Sequence, residues 1–119
     1  MAQKLNFKID QGTDYSFKFS PFPNTNVNLT GYRGAMQVRR SIYADEAIDT
    51  LTTTNGRLVF DVPNGKITVL FPNEATVKYS AKEYVYDIEI ISPDARIYRV
   101  LEGKIYVSAE VTRVKLSSL

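Results

Sequence analysis

The side chains of this sequence that could do chemistry are carboxylates, because the chain has no histidine and no cysteine. Asp87 and Glu89 stand two residues apart in an alternating stretch, so on a strand they project from the same face. A pair of carboxylates on one face is the machinery of a glycosidase. Cross-strand pairing of Glu89 with Arg99 is the plainer use for one of them. The sequence therefore predicts a protein that is not an enzyme.

The remaining acidic residues do not form a convincing metal site. Asp45, Glu46 and Asp49 are clustered and could offer oxygen ligands to a hard cation. Their segment lacks the ligand repeat and the glycine of a calcium loop, so a solvated turn is the better interpretation. Asp10 and Asp14 flank a turn in which local side-chain hydrogen bonds explain them. We predict no metal site and no cofactor.

Charge and hydropathy exclude two classes of partner. The 15 basic and 13 acidic side chains give a net charge of +2 and are interspersed, whereas a nucleic-acid-binding face needs basic residues massed on one surface. The first ten residues lack the apolar core of a signal peptide, and no stretch approaches the roughly 20 apolar residues of a membrane span. We therefore expect a chain made in the cytoplasm that binds neither nucleic acid nor membrane.

The 119 residues, of which 44% are hydrophobic, are enough for one self-standing core. We expect a single domain over residues 1–119, ending in a short flexible tail from about residue 114. Alternation of apolar and polar residues predicts strands along most of the chain. In the first two strands the apolar faces are Leu5, Phe7 and Ile9, then Tyr15, Phe17 and Phe19.

Three further segments have a defined expectation. Residues 32–40 predict a strand with Met36 and Val38 facing inward. Residues 44–51 are expected to form a short helical turn. Residues 72–77 resemble one helical turn, since proline is tolerated at a helix start.

A first hairpin is predicted over residues 57–71, with two possible registers. A two-residue turn at Asn64 and Gly65 would set Leu58, Phe60 and Val62 opposite Phe71, Val69 and Ile67. A three-residue turn that includes Pro63 and ends in a glycine bulge suits the local sequence better, because proline cannot donate a ladder hydrogen bond. We favour the bulged turn.

A second hairpin is predicted with residues 93–95 as a three-residue loop. Ala95 would then adopt a left-handed conformation, at a cost of about 1 kcal/mol. This register places opposite charges across from each other on one face and apolar residues across from each other on the other face. The expected pairs are Glu89 with Arg99, Ile88 with Val100, and Ile90 with Tyr98.

About seven antiparallel strands in a chain of this length predict an all-β, immunoglobulin-like β-sandwich, with a small partly open β-barrel as the alternative. Tyr84 or Tyr86 is placed to act as the tyrosine corner of such folds, in which the hydroxyl bonds back to the preceding backbone. Gly103 is expected to mark a bend or a bulge in the last strand.

Three stretches carry a resemblance to a known family: NLTGYRGAMQVR, then NGRLVF with NGKITVLFP, and finally YVYDIEIISPDARIYRVLEGKIYVSAEVTR. Together they resemble small tailed-phage virion proteins of the tail-collar and side-tail-fibre-collar β-sandwich family. The sequence departs from that pattern at Ala95, where glycine is frequent.

The resemblance implies a structural component of the virion, made in the host cytoplasm. Such a protein would form or join a homo-oligomeric ring at the tail, the tail tip or baseplate, or the neck. Its expected partners are other tail, neck or fibre proteins. The alternative is an immunoglobulin-like binding module that recognises a carbohydrate or a receptor.

Candidate interface residues follow from the pattern of strands and loops. Unpaired strand edges can pair with another chain, and the first strand has few charged guards. A proline-rich loop holds one aromatic residue outside any sheet pattern, and a basic stripe could pair with acids on a partner or keep an edge in solution. The candidates are Phe7, Ile9, Phe22, Arg33, Arg39 and Arg40.

Overall fold

The computed structural model describes residues 2–80 and 82–119, and β-strands are their main regular structure, with little helix. Single 3-10 turns lie at Val62–Asn64 and Leu116–Ser118. The elements are β1 (Gln3–Lys4), β2 (Phe7–Asp10), β3 (Tyr15–Phe19), β4 (Arg33–Arg39), β5 (Asp49–Thr52), β6 (Leu58–Asp61), β7 (Lys66–Phe71), α1 (Asn73–Thr76), β8 (Glu83–Ile91) and β9 (Ile97–Ser108).

The strands form two sheets that pack face to face. The large sheet has the order β1/β2, β9, β8, β4, β5, with β1 and β2 following one another along the same edge of β9. The small sheet has the order β3, β7, β6. Neighbours are antiparallel except β1 and β2, which run parallel to β9. The predicted immunoglobulin-like β-sandwich is confirmed, and the partly open barrel is not what the chain forms.

Two departures raise the number of strands above the predicted seven. The first expected strand is divided into β1 and β2, which leaves Leu5 exposed instead of facing the core. The helical turn expected at residues 44–51 is wrong, because β5 occupies its second half and pairs with β4. Thr50 and Thr52 flank the buried Leu51, and such β-branched residues favour a strand beside a paired neighbour. The helical turn expected at residues 72–77 is confirmed as α1.

Gly103 explains where the first strand divides. A Cβ atom on Gly103 would collide with the carbonyl of Leu5, so only glycine allows the two backbones to approach there. The Asn6 side chain accepts a hydrogen bond of 2.9 Å from the amide of Lys104, which replaces a ladder bond at the gap. The bulge predicted at Gly103 lies elsewhere in β9, between the partners of Ile88 and Glu89.

The hairpin of β8 and β9 has the predicted three-residue loop. Glu89 lies opposite Arg99 and Ile90 opposite Tyr98, and Ala95 has a φ of 68°. The expected pairing of Ile88 with Val100 is wrong. Ile88 faces Leu101, because the bulge adds one residue on β9.

The hairpin of β6 and β7 has neither expected register. Gly65 has a φ of 62° and its amide bonds to the Val62 carbonyl, so the glycine-ended turn forms. The loop has four residues, however, and Leu58 and Phe60 lie opposite Val69 and Ile67. This register differs by two residues from that of the two-residue turn, and a shift of two leaves every side chain on its face.

The tyrosine corner forms at Tyr84. Its hydroxyl oxygen accepts a hydrogen bond of 2.9 Å from the backbone amide of Ser80. The same hydroxyl donates a hydrogen bond of 3.2 Å to the Ser80 carbonyl. The hydroxyl of Tyr86 instead donates to the Leu5 carbonyl at 2.6 Å. Buried side chains from both sheets fill the space between them: Ile9, Met36, Val38, Leu51, Leu58, Ile67, Val69, Phe71, Ile88, Ile90 and Ile105.

Candidate protein interaction surfaces

The arginines expected to form one basic stripe are spread along the large sheet. Arg33 and Arg39 lie at opposite ends of β4 on its outward face, and six steps along the strand separate them by about 20 Å. Arg39 donates to the Ala44 carbonyl at 2.9 Å and to the Gln37 side chain at 2.7 Å. Arg40 donates to the Ser80 hydroxyl at 3.2 Å, and its guanidinium lies 5.8 Å from the ring centre of Tyr84. Arg39 and Arg40 therefore order the C-terminal end of β4, and the three arginines do not form one patch.

Phe7 and Ile9 point into the core. Ile9 is fully buried, and the ring of Phe7 lies 5.0 Å from Phe17 and 5.5 Å from Tyr15. Their side chains are therefore unavailable to a partner of the folded chain. What β2 offers a partner is its backbone edge opposite β9.

Phe22 is held by two aromatic neighbours that the sequence pattern did not reveal. Its ring meets Tyr32 edge-on at 6.1 Å and Tyr98 at 5.3 Å. The side chain is half-buried against the core. Phe22 thus anchors the long loop between β3 and β4, and only part of its surface is left for a partner.

The carboxylates singled out for chemistry share one cation. The Nε of Arg99 lies 3.4 Å from Asp87 and 3.6 Å from Glu89, and its Nη1 lies 3.7 Å from Glu102. Glu102 reaches this face because the bulge in β9 turns it to the same side as Arg99. Burial raises the pKa of Asp87, Arg99 partly offsets this, and Glu89 and Glu102 add to it. The group is a cross-strand charge network on the outer face of the large sheet.

Sequence reasoning missed a partly buried network built on Asp49. Arg57 donates to both carboxylate oxygens at 2.8 and 2.7 Å, and the Tyr79 hydroxyl donates at 2.7 Å. The Asp49 and Arg57 side chains are only 14% and 17% exposed. Burial alone would raise the pKa of Asp49, but the bonds from Arg57 and Tyr79 outweigh it and lower that pKa. The sequence signal was the alternation that places Asp49 on the same face as Leu51.

This Asp49 network joins the two sheets along one side of the sandwich. Asp49 lies in β5 of the large sheet, and Arg57 directly precedes β6 of the small sheet. Arg57 also donates from Nε to the Leu70 carbonyl at 3.2 Å, and its guanidinium lies 5.9 Å from the Phe71 ring centre. Burial, followed by the charge and hydrogen bond of Asp49, raises the pKa of Tyr79, so its hydroxyl stays a donor.

Two apolar side chains project from the loop between β4 and β5. Ile42 is 72% exposed and Tyr43 is 87% exposed. Ile42 borders a cleft of about 480 Å³ on the large sheet that is also lined by Leu5, Val85 and Lys104. Exposed apolar side chains beside a cleft are typical of protein interfaces. We call residues 42–43 the β4–β5 loop pair.

A second exposed feature is the free edge of β3. This strand pairs with β7 alone among the described residues, so its other edge presents unpaired backbone groups. Tyr15, Phe17 and Phe19 form a half-buried row along it and face the space between the sheets. We call this feature the β3 edge.

One end of the sandwich carries a polar cleft of about 510 Å³. Amide and hydroxyl side chains dominate its lining, and none of its lining residues is charged. We call it the asparagine cleft after Asn24, Asn26, Asn28 and Asn64.

Neither a metal-binding cluster nor a membrane-spanning helix occurs in the described residues. Across residues 2–80 and 82–119, no three His, Cys, Asp or Glu side chains converge as a metal site would require. In the same part of the chain, no helix combines the length and the apolar character needed to span a bilayer.

Comparison with known proteins establishes the fold alone. No family model and no curated protein matches the chain. Among solved structures, one described as a glycoside hydrolase from Bacteroides vulgatus ATCC 8482 is similar over 87% of this chain, with a TM-score of 0.50 and 13% identity. The match spans only 16% of that longer protein. The chain is thus similar to a β-sandwich portion of a larger protein.

Proposed function

We propose that this chain is a structural component of a tailed-phage virion that docks neighbouring tail, neck or fibre proteins. The resemblance of residues 5–113 to collar proteins motivates the setting. The observation that carries the docking role is the β4–β5 loop pair, since Ile42 and Tyr43 project from a sandwich whose core is otherwise well filled. Partner binding would bury them.

The docking role has a clear source of binding energy. Full burial of a large apolar side chain contributes about 1.5–3 kcal/mol, and tyrosine is enriched among residues that dominate interfaces. The sandwich holds the loop pair on a rigid base, because Arg39 bonds to the Ala44 carbonyl and Ile48 bonds to the Val38 carbonyl at 2.6 Å. Little ordering is then needed on binding.

Electron microscopy of purified phage particles tests the proposal directly. We expect density for this sandwich at the tail, the tail tip or the neck, and peptides of the chain in the mass spectrum of the same particles. Particles that assemble normally and lack the chain in both measurements would contradict a structural role.

Substitution of the β4–β5 loop pair tests which surface docks. Changing Ile42 and Tyr43 to serine should lower incorporation into particles at least tenfold, with no change in thermal unfolding of the purified chain. Ile97→Ser is the matched control, since Ile97 is also an exposed apolar residue but lies in the β8–β9 hairpin. Equal incorporation of both variants would assign docking to another surface.

The asparagine cleft favours a second candidate function, the binding of a neutral carbohydrate. Its amide and hydroxyl groups match the hydrogen bonding of sugar hydroxyls, and its uncharged lining disfavours an ionic ligand. Titration with neutral oligosaccharides by calorimetry, with Asn26→Ala as the cleft variant, tests it. Saturable heat that the variant abolishes would support glycan recognition.

A further inference from the structure

We propose that Asn64 is a site of spontaneous deamidation in the folded chain, and that the fold protects Asn55 from the same reaction. In the sequence, Asn55 precedes Gly56 and Asn64 precedes Gly65. An asparagine before glycine is reactive because glycine has no side chain to keep its backbone nitrogen away from the asparagine carboxamide. This modification site lies outside the proposed docking role and does not depend on it.

The reaction needs water as its co-reactant. The backbone nitrogen of Gly65, after loss of its proton to solvent, attacks the Cγ carbon of Asn64. A five-membered succinimide ring closes as the bond from Cγ to the NH2 group breaks, and that group takes a proton from water and leaves as ammonia. Water then adds to either ring carbonyl, and the ring opens with a proton returned to the nitrogen. The product is aspartate or, where the chain continues through Cγ, isoaspartate.

The two Asn-Gly turns match in their backbone at the glycine. Gly56 and Gly65 both have left-handed φ values, 77° and 62°. Each glycine amide donates to the carbonyl three residues earlier, at 3.3 Å for Gly56 and 3.2 Å for Gly65. Both asparagines are exposed, and no atom lies within 4 Å of where a Cβ on either glycine would be. A difference in rate is therefore expected from the asparagine side chains.

Three backbone groups hold the Asn55 side chain. Its Oδ1 accepts hydrogen bonds from the amides of Thr52 at 2.9 Å and Arg57 at 3.1 Å. Its Nδ2 donates to the Thr50 carbonyl at 3.0 Å. Ring closure turns the Cγ carbon toward the Gly56 nitrogen and expels the NH2 group, so the bonds at both ends of the carboxamide resist it. The turn after β5 thus protects Asn55.

The Asn64 side chain makes a single hydrogen bond among the described residues. Its Nδ2 donates to the Asp61 carboxylate at 2.9 Å, and this bond lies at the surface. Water replaces such a bond at little net cost, since the protein groups exchange one hydrogen-bond partner for another. The carboxamide of Asn64 is therefore able to turn toward the Gly65 nitrogen, a movement that its bonds oppose in Asn55.

Deamidation would change the asparagine cleft, which Asn64 lines. None of the lining residues is charged, so the reaction would place a carboxylate in a neutral wall, beside the carboxylate of Asp61. Two like charges at that separation repel each other. Isoaspartate would also add one backbone carbon to the loop between β6 and β7. The cleft of an aged chain should therefore differ from that of a new chain in charge and in shape.

Peptide mapping by mass spectrometry measures both rates in one sample of the purified chain. Trypsin cleaves after Arg57 and Lys66, so Asn55 and Asn64 fall in different peptides. During incubation at pH 8, residue 64 should deamidate at least fivefold faster than residue 55, and its product should be a mixture of aspartate and isoaspartate. Digestion at mildly acidic pH and a sample taken at the start exclude reaction during handling.

The same incubation in concentrated urea is the matched control. Unfolding releases Asn55 from its three backbone bonds, so the two rates should converge if the fold is what protects it. Asn64→Gln tests the assignment, since glutamine would have to close a larger ring. The signal from residue 64 should disappear in that variant while the signal from residue 55 stays the same.

Equal rates in the folded chain would overturn the inference. Faster reaction at Asn55 would also overturn it, because the amides bound to its Oδ1 would then activate the carbonyl instead of holding it. So would an Asn64 that reacts in urea but stays intact in the folded chain, since the turn would then block ring closure. Each of these results is obtained whether or not the chain is found in virions.

Discussion

The two long sides of the sandwich are joined in different ways. On one side, which we call the ion-pair side, the Asp49 network links β5 of the large sheet to the start of β6 in the small sheet. On the other, the aromatic side, β2 and β3 meet mainly through rings, with Phe7 5.0 Å from Phe17, and the Gln3 side chain of β1 donates to the Ser20 carbonyl after β3 at 2.7 Å. Directional bonds fix the first contact, and ring packing fixes the second.

The two kinds of contact give the two sides of the sandwich different tolerance to change. A partly buried carboxylate needs its partners in place, so the ion-pair side tolerates little change. Ring packing has a broad energy minimum and can accommodate further apolar groups. The aromatic side can thus accommodate changes in its apolar contacts while the ion-pair side keeps the sheets together. The first three predictions below test this division.

The largest effect is expected from Arg57→Met on the ion-pair side. The change leaves the Asp49 carboxylate with the Tyr79 hydroxyl and the Thr50 backbone amide but no cation, and it should lower the free energy of unfolding by about 2–3 kcal/mol in urea titration. This loss in stability is somewhat smaller than the loss expected for a fully buried ion pair, because the Asp49 and Arg57 side chains retain some solvent contact. Adding Asp49→Asn to the variant should restore part of the loss, and a larger loss in the double variant would refute the network.

The pH dependence of Asp49→Asn gives the next effect. Because the folded pKa of Asp49 lies below its ordinary value, the contribution of the carboxylate is complete above the unfolded pKa of about 3.9. It is lost as pH falls through the folded pKa. The stability difference between the natural chain and the variant should therefore be constant from pH 7 to pH 5 and narrow below pH 4.

Chemical denaturation at a series of pH values measures that narrowing. Asp87, whose pKa is raised in the folded chain, makes stability change with pH in the opposite sense. Its contribution cancels from the measured difference because both proteins carry Asp87. A difference that widens on acidification would mean that the folded pKa of Asp49 is raised.

Phe17→Ser on the aromatic side should cost about 1–2 kcal/mol, less than Arg57→Met. Phe17 is half-buried, so its removal loses only part of the transfer free energy of a core phenylalanine. Urea titration of both variants in parallel provides the comparison. A loss larger than that of Arg57→Met would show that the aromatic side carries the main cohesion.

The sequence was most informative where neighbouring residues determine structure. Glu89 with Arg99, the left-handed Ala95 and the corner at Tyr84 all depend on contacts between residues close in the chain. The Asp49 network was missed because it brings together three segments, and no local pattern identifies such a meeting.

The candidate interface was harder to predict than the fold. The alternation correctly predicted that Phe7 faces inward. Whether an edge strand is covered, however, depends on how many strands the opposite sheet has. The same limit hid the neighbours of Phe22, since Tyr32 lies just before β4 and Tyr98 lies in the distant β9. Arg33 and Arg39 were chosen for their charge, although the predicted strand over residues 32–40 already places them near its two ends.

The smallest effect is expected from Ala95→Gly, at the end of the sandwich that neither side reaches. Ala95 has a φ of 68°, where glycine lacks the strain of a Cβ atom, so the change should raise the free energy of unfolding by about 0.5–1 kcal/mol. Part of that gain is offset by the greater freedom of glycine in the unfolded chain. Asp94→Gly is the control, since Asp94 is not among the residues with positive φ and should gain nothing.

Combined with Arg57→Met, the gain from Ala95→Gly should add unchanged, because sites without shared partners are independent. A gain that disappears in the combined variant would mean that the ion-pair side governs the loop end as well.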